Sequence, residues 1–393
     1  MGDMGGLGHK KGMELYVHIP FCAKKCNYCD FRSGVADDLT QKSYVDQLCE
    51  EIRSQGKMYC DDFYITTIFI GGGTPSILKG TWVGNIMSAI YESFSVNALA
   101  EVTIECNPGT VNVDKLRIYR QNGINRVSFG LQSADNEELR LLGRVHTFED
   151  FLDSYQMARE VGFTNINVDL MSALPGQSVE SWKETLRKVV RLKPEHISSY
   201  SLIIEEGTPF FTAYGNREGQ KNLPSEEEER EMYYFTNQYL RAHGFERYEI
   251  SNYAKRGFEC KHNVGYWTGV PYLGLGLGAS SYVYNRRFHT EENFDAYMKI
   301  LMNRDITPLY QDIQELGTRQ RMEEFMFLGL RLIRGVSAAE FMERFGSNMF
   351  KVFDMPIRKN VIAKLLEVQD SRLYLTEKGL DLSNRVMSDF LFD

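Results

Sequence analysis

Three cysteines near the start of the chain constrain its fold more than any other feature. Cys22, Cys26 and Cys29 form a C-x3-C-x2-C run that follows a short β-type segment, Leu15 to Ile19. Zinc sites usually take four ligands from two pairs, and no second C-x2-C pair is present. The run therefore indicates an iron–sulfur cluster with one iron left without a protein ligand. An open iron is available for chemistry.

Short β-type runs alternate with helical runs from Glu14 to about Ile204. The predicted strands are Leu15 to Ile19, Ile65 to Ile70, Glu101 to Cys106, Asn125 to Gln132, Asn165 to Met171 and His196 to Ile203. The predicted helices between them are Gln41 to Gln55, Val83 to Phe94, Val113 to Gln121, Phe148 to Val161 and Val179 to Leu192. This alternation is typical of a parallel sheet, and six units predict an α/β fold in the form of a partly open (βα)6 barrel.

Two further motifs follow predicted strands. The second strand runs into Gly71-Gly-Gly-Thr-Pro75, where missing side chains allow a ligand to approach the backbone, although a tight turn would also explain the glycines. The third strand ends at Glu105, whose carboxylate could simply be solvated. Because functional side chains of parallel barrels collect at the carboxyl ends of the strands, both motifs are expected beside the cysteine loop.

A second informative stretch is His262-Asn-Val-Gly-Tyr-Trp267. A single histidine is more often a hydrogen-bonded structural residue than a ligand. An imidazole beside planar aromatics could nonetheless bind haem iron while Tyr266 and Trp267 cover the macrocycle. Cys260 is a competing thiolate ligand two residues away.

Together these motifs resemble the radical SAM family, and in detail its HemW-type haem chaperones, which are relatives of the oxygen-independent coproporphyrinogen III dehydrogenases. The resemblance implies a radical SAM barrel in which Cys22, Cys26 and Cys29 hold a [4Fe–4S] cluster and S-adenosylmethionine (SAM) occupies the fourth iron. It also implies SAM contacts at Tyr16, Tyr28, Gly72, Gly73, Thr74 and Glu105. In the dehydrogenase relatives the positions of Gln132, Arg144 and Asp169 contact a second SAM.

The His262-Asn263-x-x-Tyr266-Trp267 pattern is similar to the motif associated with haem binding in the HemW family. It implies His262 as the iron ligand, with Tyr266 and Trp267 against the macrocycle. The dehydrogenase relatives carry a further cysteine two residues after the third, and Phe31 stands there in this chain. That difference favours the chaperone branch.

Composition limits the partners and the compartment. Lys and Arg total 45 against 53 Asp and Glu, a net charge of −8, which argues against a nucleic-acid partner. Seven cysteines, three of them clustered, do not suggest a disulfide framework and fit a reducing, cytoplasmic environment. No run of 18 apolar residues predicts a membrane span, although peripheral association with a membrane stays open.

The predicted organisation has four parts. Residues 1–12 are a Gly-rich flexible leader, 13–220 the radical SAM barrel, and 221–307 a bridging segment that carries the haem motif. Residues 308–393 are predicted to form a winged-helix-like α+β domain, with a helix over Gln314 to Leu332 and one last helix from Thr376.

The leading functional hypothesis is a haem chaperone that carries a SAM-coordinated cluster and transfers haem to an acceptor apoprotein. An electron donor such as a flavodoxin or ferredoxin would serve the cluster, and reductive cleavage of SAM is expected. The enzymatic alternative is coproporphyrinogen III dehydrogenation or another radical reaction on a tetrapyrrole. A third possibility is a cluster that is purely structural or redox-sensing.

Overall fold

A computed structural model describes residues 10–392 of the chain. Its frame is a large mixed sheet formed by β1 (Lys11–Ile19), β2 (Phe63–Gly72), β3 (Val96–Cys106), β4 (Arg126–Gln132), β5 (Ile166–Ser172), β6 (His196–Ser201), β7 (Glu246–Arg247), β8 (Asn252–Ala254), β9 (Tyr272–Leu275), β10 (Ser280–Val283), β11 (Arg286–Thr290) and β12 (Tyr310–Glu315). The helices of this part are α1 (Asp38–Tyr59), α2 (Gly80–Ser93), α3 (Val113–Gln121), α4 (Asn136–Leu141), α5 (Phe148–Glu160), α6 (Val179–Arg191), α7 (Pro209–Tyr214), α8 (Glu226–Ala242), α9 (Lys261–Thr268) and α10 (Phe294–Met302).

The first six strands pair in parallel and in chain order, which confirms the predicted partial barrel. The barrel does not close, because β1 pairs on its free side with β9 and β6 pairs with β8. The predicted bridging segment is thus not a separate connection. It supplies strands at both ends of the sheet, β7 and β8 at one end and β9 to β11 at the other.

Alternation along β1 shows how the sequence builds the two faces of the sheet. Leu15 and Val17 are fully buried in the main core. Successive side chains of a strand point to opposite faces, so Glu14, Tyr16 and His18 lie on the other, concave face. Along β1 the concave face of the barrel is therefore polar, whereas the outer face is apolar and packs on helices.

Side-chain hydrogen bonds cap the starts of several helices. Ser225 and Glu228 form a reciprocal capping box at the start of α8, and Thr147 with Asp150 does the same for α5. The indole N–H of Trp182 in α6 donates to the Thr236 hydroxyl in α8 at 2.9 Å, which joins the two helices.

The C-terminal unit has its own core and a small antiparallel sheet. Its elements are α11 (Thr318–Gly329), β13 (Val336–Ser337), α12 (Ala338–Phe345), α13 (Met349–Val352), α14 (Asp354–Ile362), β14 (Leu366–Gln369), β15 (Arg372–Leu375), α15 (Glu377–Asp381) and α16 (Ser383–Ser388). The strand order β13-β15-β14 beside helices confirms the predicted winged-helix-like class. Met326, Phe341 and Phe353 are fully or almost fully buried at its centre.

Two predicted elements of this region are wrong. Gln314 lies in β12, which pairs with β11 of the large sheet, so the helix begins only at Thr318 and the unit begins later than residue 308. The last predicted helix is two short helices, because the chain leaves helical geometry at Leu382 (φ −116°, ψ 26°).

The predicted leader also ends earlier than residue 12. Lys11 and Gly12 are part of β1 and pair with Phe63 and Tyr64, while residues 1–9 lie outside the described residues. Within residues 10–392, no helix is both long and apolar enough to cross a membrane.

Glu51 generates a prediction about stability. It is fully buried in α1, accepts hydrogen bonds from the Gly276 N–H at 3.0 Å and the Tyr297 hydroxyl at 2.5 Å, and burial raises its pKa from 4.5 to about 7. The unfolded chain ionises first, so this group's contribution to stability is present below pH 4.5 and is lost as the pH rises towards 7.

Through this group we expect the wild type to lose about 3 kcal/mol of unfolding free energy over this pH range, and Glu51→Gln to lose none. Urea unfolding of both proteins between pH 4.5 and 7 measures it as a drift in their difference in unfolding free energy. A difference that stays constant across that range would contradict the assignment.

Candidate functional site

The cysteine loop is held in place by backbone hydrogen bonds. Cys22 N–H donates to the Gly34 carbonyl at 2.9 Å and Gly34 N–H donates to the Pro20 carbonyl at 3.0 Å, which closes the loop at its base. Asn27 N–H donates to the Leu142 carbonyl at 2.9 Å, which ties the middle of the loop to the end of α4. The loop that follows β1 therefore has a fixed path.

The three thiols lie on this loop, with Cys22 buried and Cys26 and Cys29 partly exposed. Within residues 10–392, no group of three or more His, Cys, Asp or Glu side chains is arranged to hold a single metal ion. This does not conflict with a cluster, because cysteines that bind an iron–sulfur cluster ligate different irons and need not converge on one point.

The glycine segment after β2 packs directly on the cysteine loop. Gly73 N–H donates to the Ile19 carbonyl at 2.9 Å, and Thr74 N–H donates to the Phe21 carbonyl at 2.7 Å. A Cβ on Gly73 would lie 2.7 Å from the Phe21 carbonyl oxygen and 3.0 Å from the Cys22 sulfur. The glycine is thus required by close approach to the loop itself. The Thr74 hydroxyl donates to the Cys22 sulfur at 3.4 Å.

Arg144 reaches the cysteine loop from the end of α4. Its Nη1 donates to the Cys26 sulfur at 3.6 Å, and its Nη2 donates to Asn107 Oδ1 at 2.8 Å and to the Gly130 carbonyl at 2.5 Å. Asn107 in turn donates to the Thr74 hydroxyl oxygen at 3.0 Å. A chain of polar side chains therefore connects two of the three cysteines. Sequence reasoning missed Asn107, although its place just after β3 is the same signal that drew attention to Glu105.

Glu105 and Tyr16 lie on the concave face beside this network. Glu105 accepts a hydrogen bond from Gly72 N–H at 3.1 Å. Burial, together with the nearby Asp169 carboxylate, raises the pKa of Glu105 to about 8. Its carboxyl is therefore largely protonated at neutral pH. The Tyr16 hydroxyl shares a hydrogen bond with His18 Nδ1 at 2.9 Å.

The remaining predicted SAM contacts are spread over the loop and the ends of β4 and β5. Tyr28 lies between Cys26 and Cys29 with its ring centroid 6.4 Å from that of Phe210. Asp169 accepts from the Ser128 hydroxyl at 2.9 Å and the Asn167 amide at 2.8 Å. Gln132 ends β4 with a left-handed backbone, φ 72°.

The donors around the loop fit an anionic iron–sulfur cluster. Thr74 and Arg144 place a hydroxyl and a guanidinium next to cysteine sulfurs, and donors of this kind stabilise thiolates that bind metal. Gly72 and Gly73 do not add an open surface for a cofactor, because a Cβ on Gly72 would lie 2.6 Å from the His18 ring and one on Gly73 2.7 Å from the Phe21 carbonyl oxygen.

His262 is buried inside the barrel against strand β2. Its side chain is 1% exposed, and its ring stacks on Phe69 at 5.2 Å between centroids. Nδ1 shares a hydrogen bond with the Thr67 hydroxyl at 2.7 Å and Nε2 shares one with the Tyr266 hydroxyl at 2.9 Å. Burial and the nearby Arg126 lower its pKa to about 3, so the ring is neutral. His262 can bind iron only after one of these hydrogen bonds opens.

Cys260, the competing candidate, is also enclosed. Its thiol lies 3.5 Å from Glu101 Oε1, and burial raises its pKa to about 12. In this arrangement it is a protonated hydrogen-bond donor.

Tyr266 and Trp267 line a cleft of about 380 Å³ on the concave side of the sheet, which we call the upper cleft. Tyr16 and His18 of β1 line it too, and Leu328 of α11 closes the side formed by the C-terminal unit. His18 was not expected at a site. Both of its ring nitrogens are engaged, Nδ1 with Tyr16 and Nε2 with the Arg32 carbonyl at 3.1 Å.

A partial parallel barrel whose first strand delivers a three-cysteine loop next to a glycine segment defines the class of radical SAM proteins. Family models agree: residues 16–189 match the Radical SAM superfamily and residues 317–382 match the HemN C-terminal domain.

Curated relatives identify the branch. The heme chaperone HemW of Bacillus subtilis is 37% identical over 380 residues, covering 96% of this chain and 99% of that protein. The heme chaperone HemW of Lactococcus lactis is 36% identical over 386 residues, covering 98% of each. The chain belongs to the HemW family of radical SAM proteins. Coproporphyrinogen III oxidase (HemN) from Escherichia coli, a radical SAM enzyme, shares the fold at a TM-score of 0.84 and 23% identity, covering 97% of this chain and 90% of that one.

Gly73→Ala tests whether the glycine segment supports the cysteine loop. The added methyl has no space beside Phe21 and Cys22, so we expect a cost of about 1–3 kcal/mol in unfolding free energy and a loss of iron and sulfide after anaerobic reconstitution. Gly34→Ala is the matched control, because a Cβ there meets nothing within 4 Å. Equal iron content in the two variants would show that the packing does not matter for the cluster.

Proposed function

We propose that the protein binds haem, holds a SAM-coordinated [4Fe–4S] cluster, and transfers the haem to an acceptor protein. The observation that carries the proposal is the upper cleft, walled by Tyr266 and Trp267 on the same concave face as the cysteine loop. The full-length similarity to relatives named heme chaperone supports it. The seven cysteines, all free thiols, fit a reducing cytoplasmic compartment.

Cys22, Cys26 and Cys29 are the proposed cluster ligands, and Tyr16, Tyr28, Gly72, Gly73, Thr74 and Glu105 the proposed SAM contacts. When bound, the cluster and SAM supply reductive cleavage of the sulfonium, with an electron from a flavodoxin or ferredoxin. Thr74 and Arg144 donate hydrogen bonds to cysteine sulfurs. Gln132, Arg144 and Asp169 are the candidates for contacts to a second SAM, and Arg144 in addition donates to the Cys26 sulfur.

Haem is proposed to lie in the upper cleft against Tyr266 and Trp267, with His262 as the iron ligand. Tyr266 lines the cleft, and its hydroxyl occupies His262 Nε2. Ligation therefore requires this hydroxyl to move aside.

Opposite effects of two substitutions test the ligand. His262→Ala should abolish coordination, whereas Tyr266→Phe keeps the aromatic wall and frees the imidazole. A net hydrogen bond is worth about 0.5–1.5 kcal/mol, so we expect Tyr266→Phe to tighten haem binding roughly two- to tenfold. Anaerobic titration with haem in the Soret region measures both effects.

Tyr272→Phe is the control, since Tyr272 lines the same cleft with its ring 4.7 Å from that of Tyr266. If Tyr266→Phe weakens haem binding and His262→Ala does not, the tyrosine oxygen and not the imidazole contacts the iron.

The chaperone proposal and its enzymatic rival differ in what happens to substrate. We expect the reconstituted protein to bind one haem, to pass it to an apoprotein of a b-type cytochrome, and to leave coproporphyrinogen III unchanged in the presence of SAM and reductant. Anaerobic chromatography of the porphyrin products and the acceptor's absorption spectrum are the measurements. Decarboxylation of coproporphyrinogen III, with haem bound no better than by an unrelated protein, would replace the proposal with the dehydrogenase.

A further inference from the structure

A second hollow, which we call the lower hollow, continues from the upper cleft between the large sheet and the C-terminal unit. It has a volume of about 450 Å³ and shares Trp267, Tyr282 and Leu328 with the upper cleft. The shared wall means that one extended ligand could occupy both spaces. Its other lining residues come from β1, β2, the end of α9 and the loop after it, the turn between β10 and β11, α11 and α12.

The lower hollow is positively charged in a protein of net charge −8. Lys11, Arg321 and Arg344 line it, and within residues 10–392 none of the three has a carboxylate within 4.0 Å. Arg321 donates to Asn285 Oδ1 and Thr318 Oγ1, both at 3.2 Å, and Arg344 donates to the Thr268 carbonyl at 2.7 Å. These acceptors are neutral, so the charges remain uncompensated.

Glu324 is the acidic residue that lines the lower hollow, and its carboxylate does not neutralise the three cations. Glu324 is already paired with Arg287 at 2.9 Å. In addition, Nε of Arg321 and Nε1 of Trp267 are buried N–H donors without an acceptor. A carboxylate ligand would complement such a wall, because guanidinium groups bind carboxylates through short, charge-assisted hydrogen bonds.

Six aromatic side chains also line the lower hollow: Phe63, Trp267, Tyr282, Tyr284, Phe325 and Phe345. Aromatic side chains bury flat apolar rings well. Cations and aromatics in one hollow fit a ligand with a planar apolar body and carboxylates at its edge. Haem has this chemistry, with two propionates on one side of the macrocycle.

We infer that the lower hollow binds the propionates of haem, with Arg321 and Arg344 as the anchoring residues. The inference rests on the proposed haem binding and adds an orientation to it. The macrocycle lies against Trp267, where the two spaces meet, and its propionate edge faces the C-terminal unit. That unit is thereby part of the haem site.

The test compares haem with haem dimethyl ester, in which both carboxylates are blocked, by Soret titration of the reconstituted full-length protein. Wild type should bind haem roughly 10- to 100-fold more tightly than the ester. Arg321→Gln and Arg344→Gln should each weaken haem binding and leave ester binding unchanged. Arg334→Gln is the matched control, since Arg334 is an exposed arginine of the same unit outside the hollow.

Equal affinity of wild type for haem and its ester would overturn the inference without any variant, and leaves the chaperone proposal standing. The same holds if the two arginine substitutions weaken haem and ester equally. Failure of the wild type to bind either form would instead overturn haem binding itself, and the anchor with it.

Discussion

Pairing of β1 with strands on both sides is the constraint on which the site depends. On one side β2 brings Gly73 and Thr74 against the cysteine loop, and on the other β9 blocks closure of the barrel onto β6. Because β9 pairs with the free edge of β1, the sheet continues beyond the barrel through β10, β11 and β12. The C-terminal unit lies beside this extension, and the lower hollow lies between the two. Both the loop and the upper cleft exist because β1 has these two neighbours.

The sequence predicted the barrel well because its signals are local. Strand-like and helical patterns alternate along the chain, and each of these elements is read from residues that are neighbours in the sequence. The cysteine spacing and the glycine segment are likewise readable, since their chemistry follows from residue type. What failed in the fold, such as β12 at Gln314, depends on a partner strand elsewhere in the chain, which a local helical pattern cannot reveal.

The candidate site was less predictable, because its members meet only in three dimensions. The hydrogen bond from Arg144 to the Cys26 sulfur spans 118 positions of the chain. Lys11 near the start of the chain lines the same hollow as Arg321 and Arg344 near its end. For His262 the motif indicates a ligand while the geometry shows two satisfied ring nitrogens. A buried imidazole with both nitrogens bonded is stable as it is, so any ligand role must be strong enough to break a bond worth about 1 kcal/mol.

The upper cleft and the cysteine loop are physically joined through His18. Its ring lies in the wall of the cleft, and its Nε2 holds the Arg32 carbonyl, which follows Cys29 by three residues. On its other side the His18 ring packs against the backbone of Gly72, where a Cβ would lie 2.6 Å from the ring. His18 is therefore packed between the end of β2 and the far end of the loop. A ligand in the cleft that shifted this ring would therefore either break its hydrogen bond to the Arg32 carbonyl or move that carbonyl with it, so the cleft and the cysteine loop are coupled through one side chain.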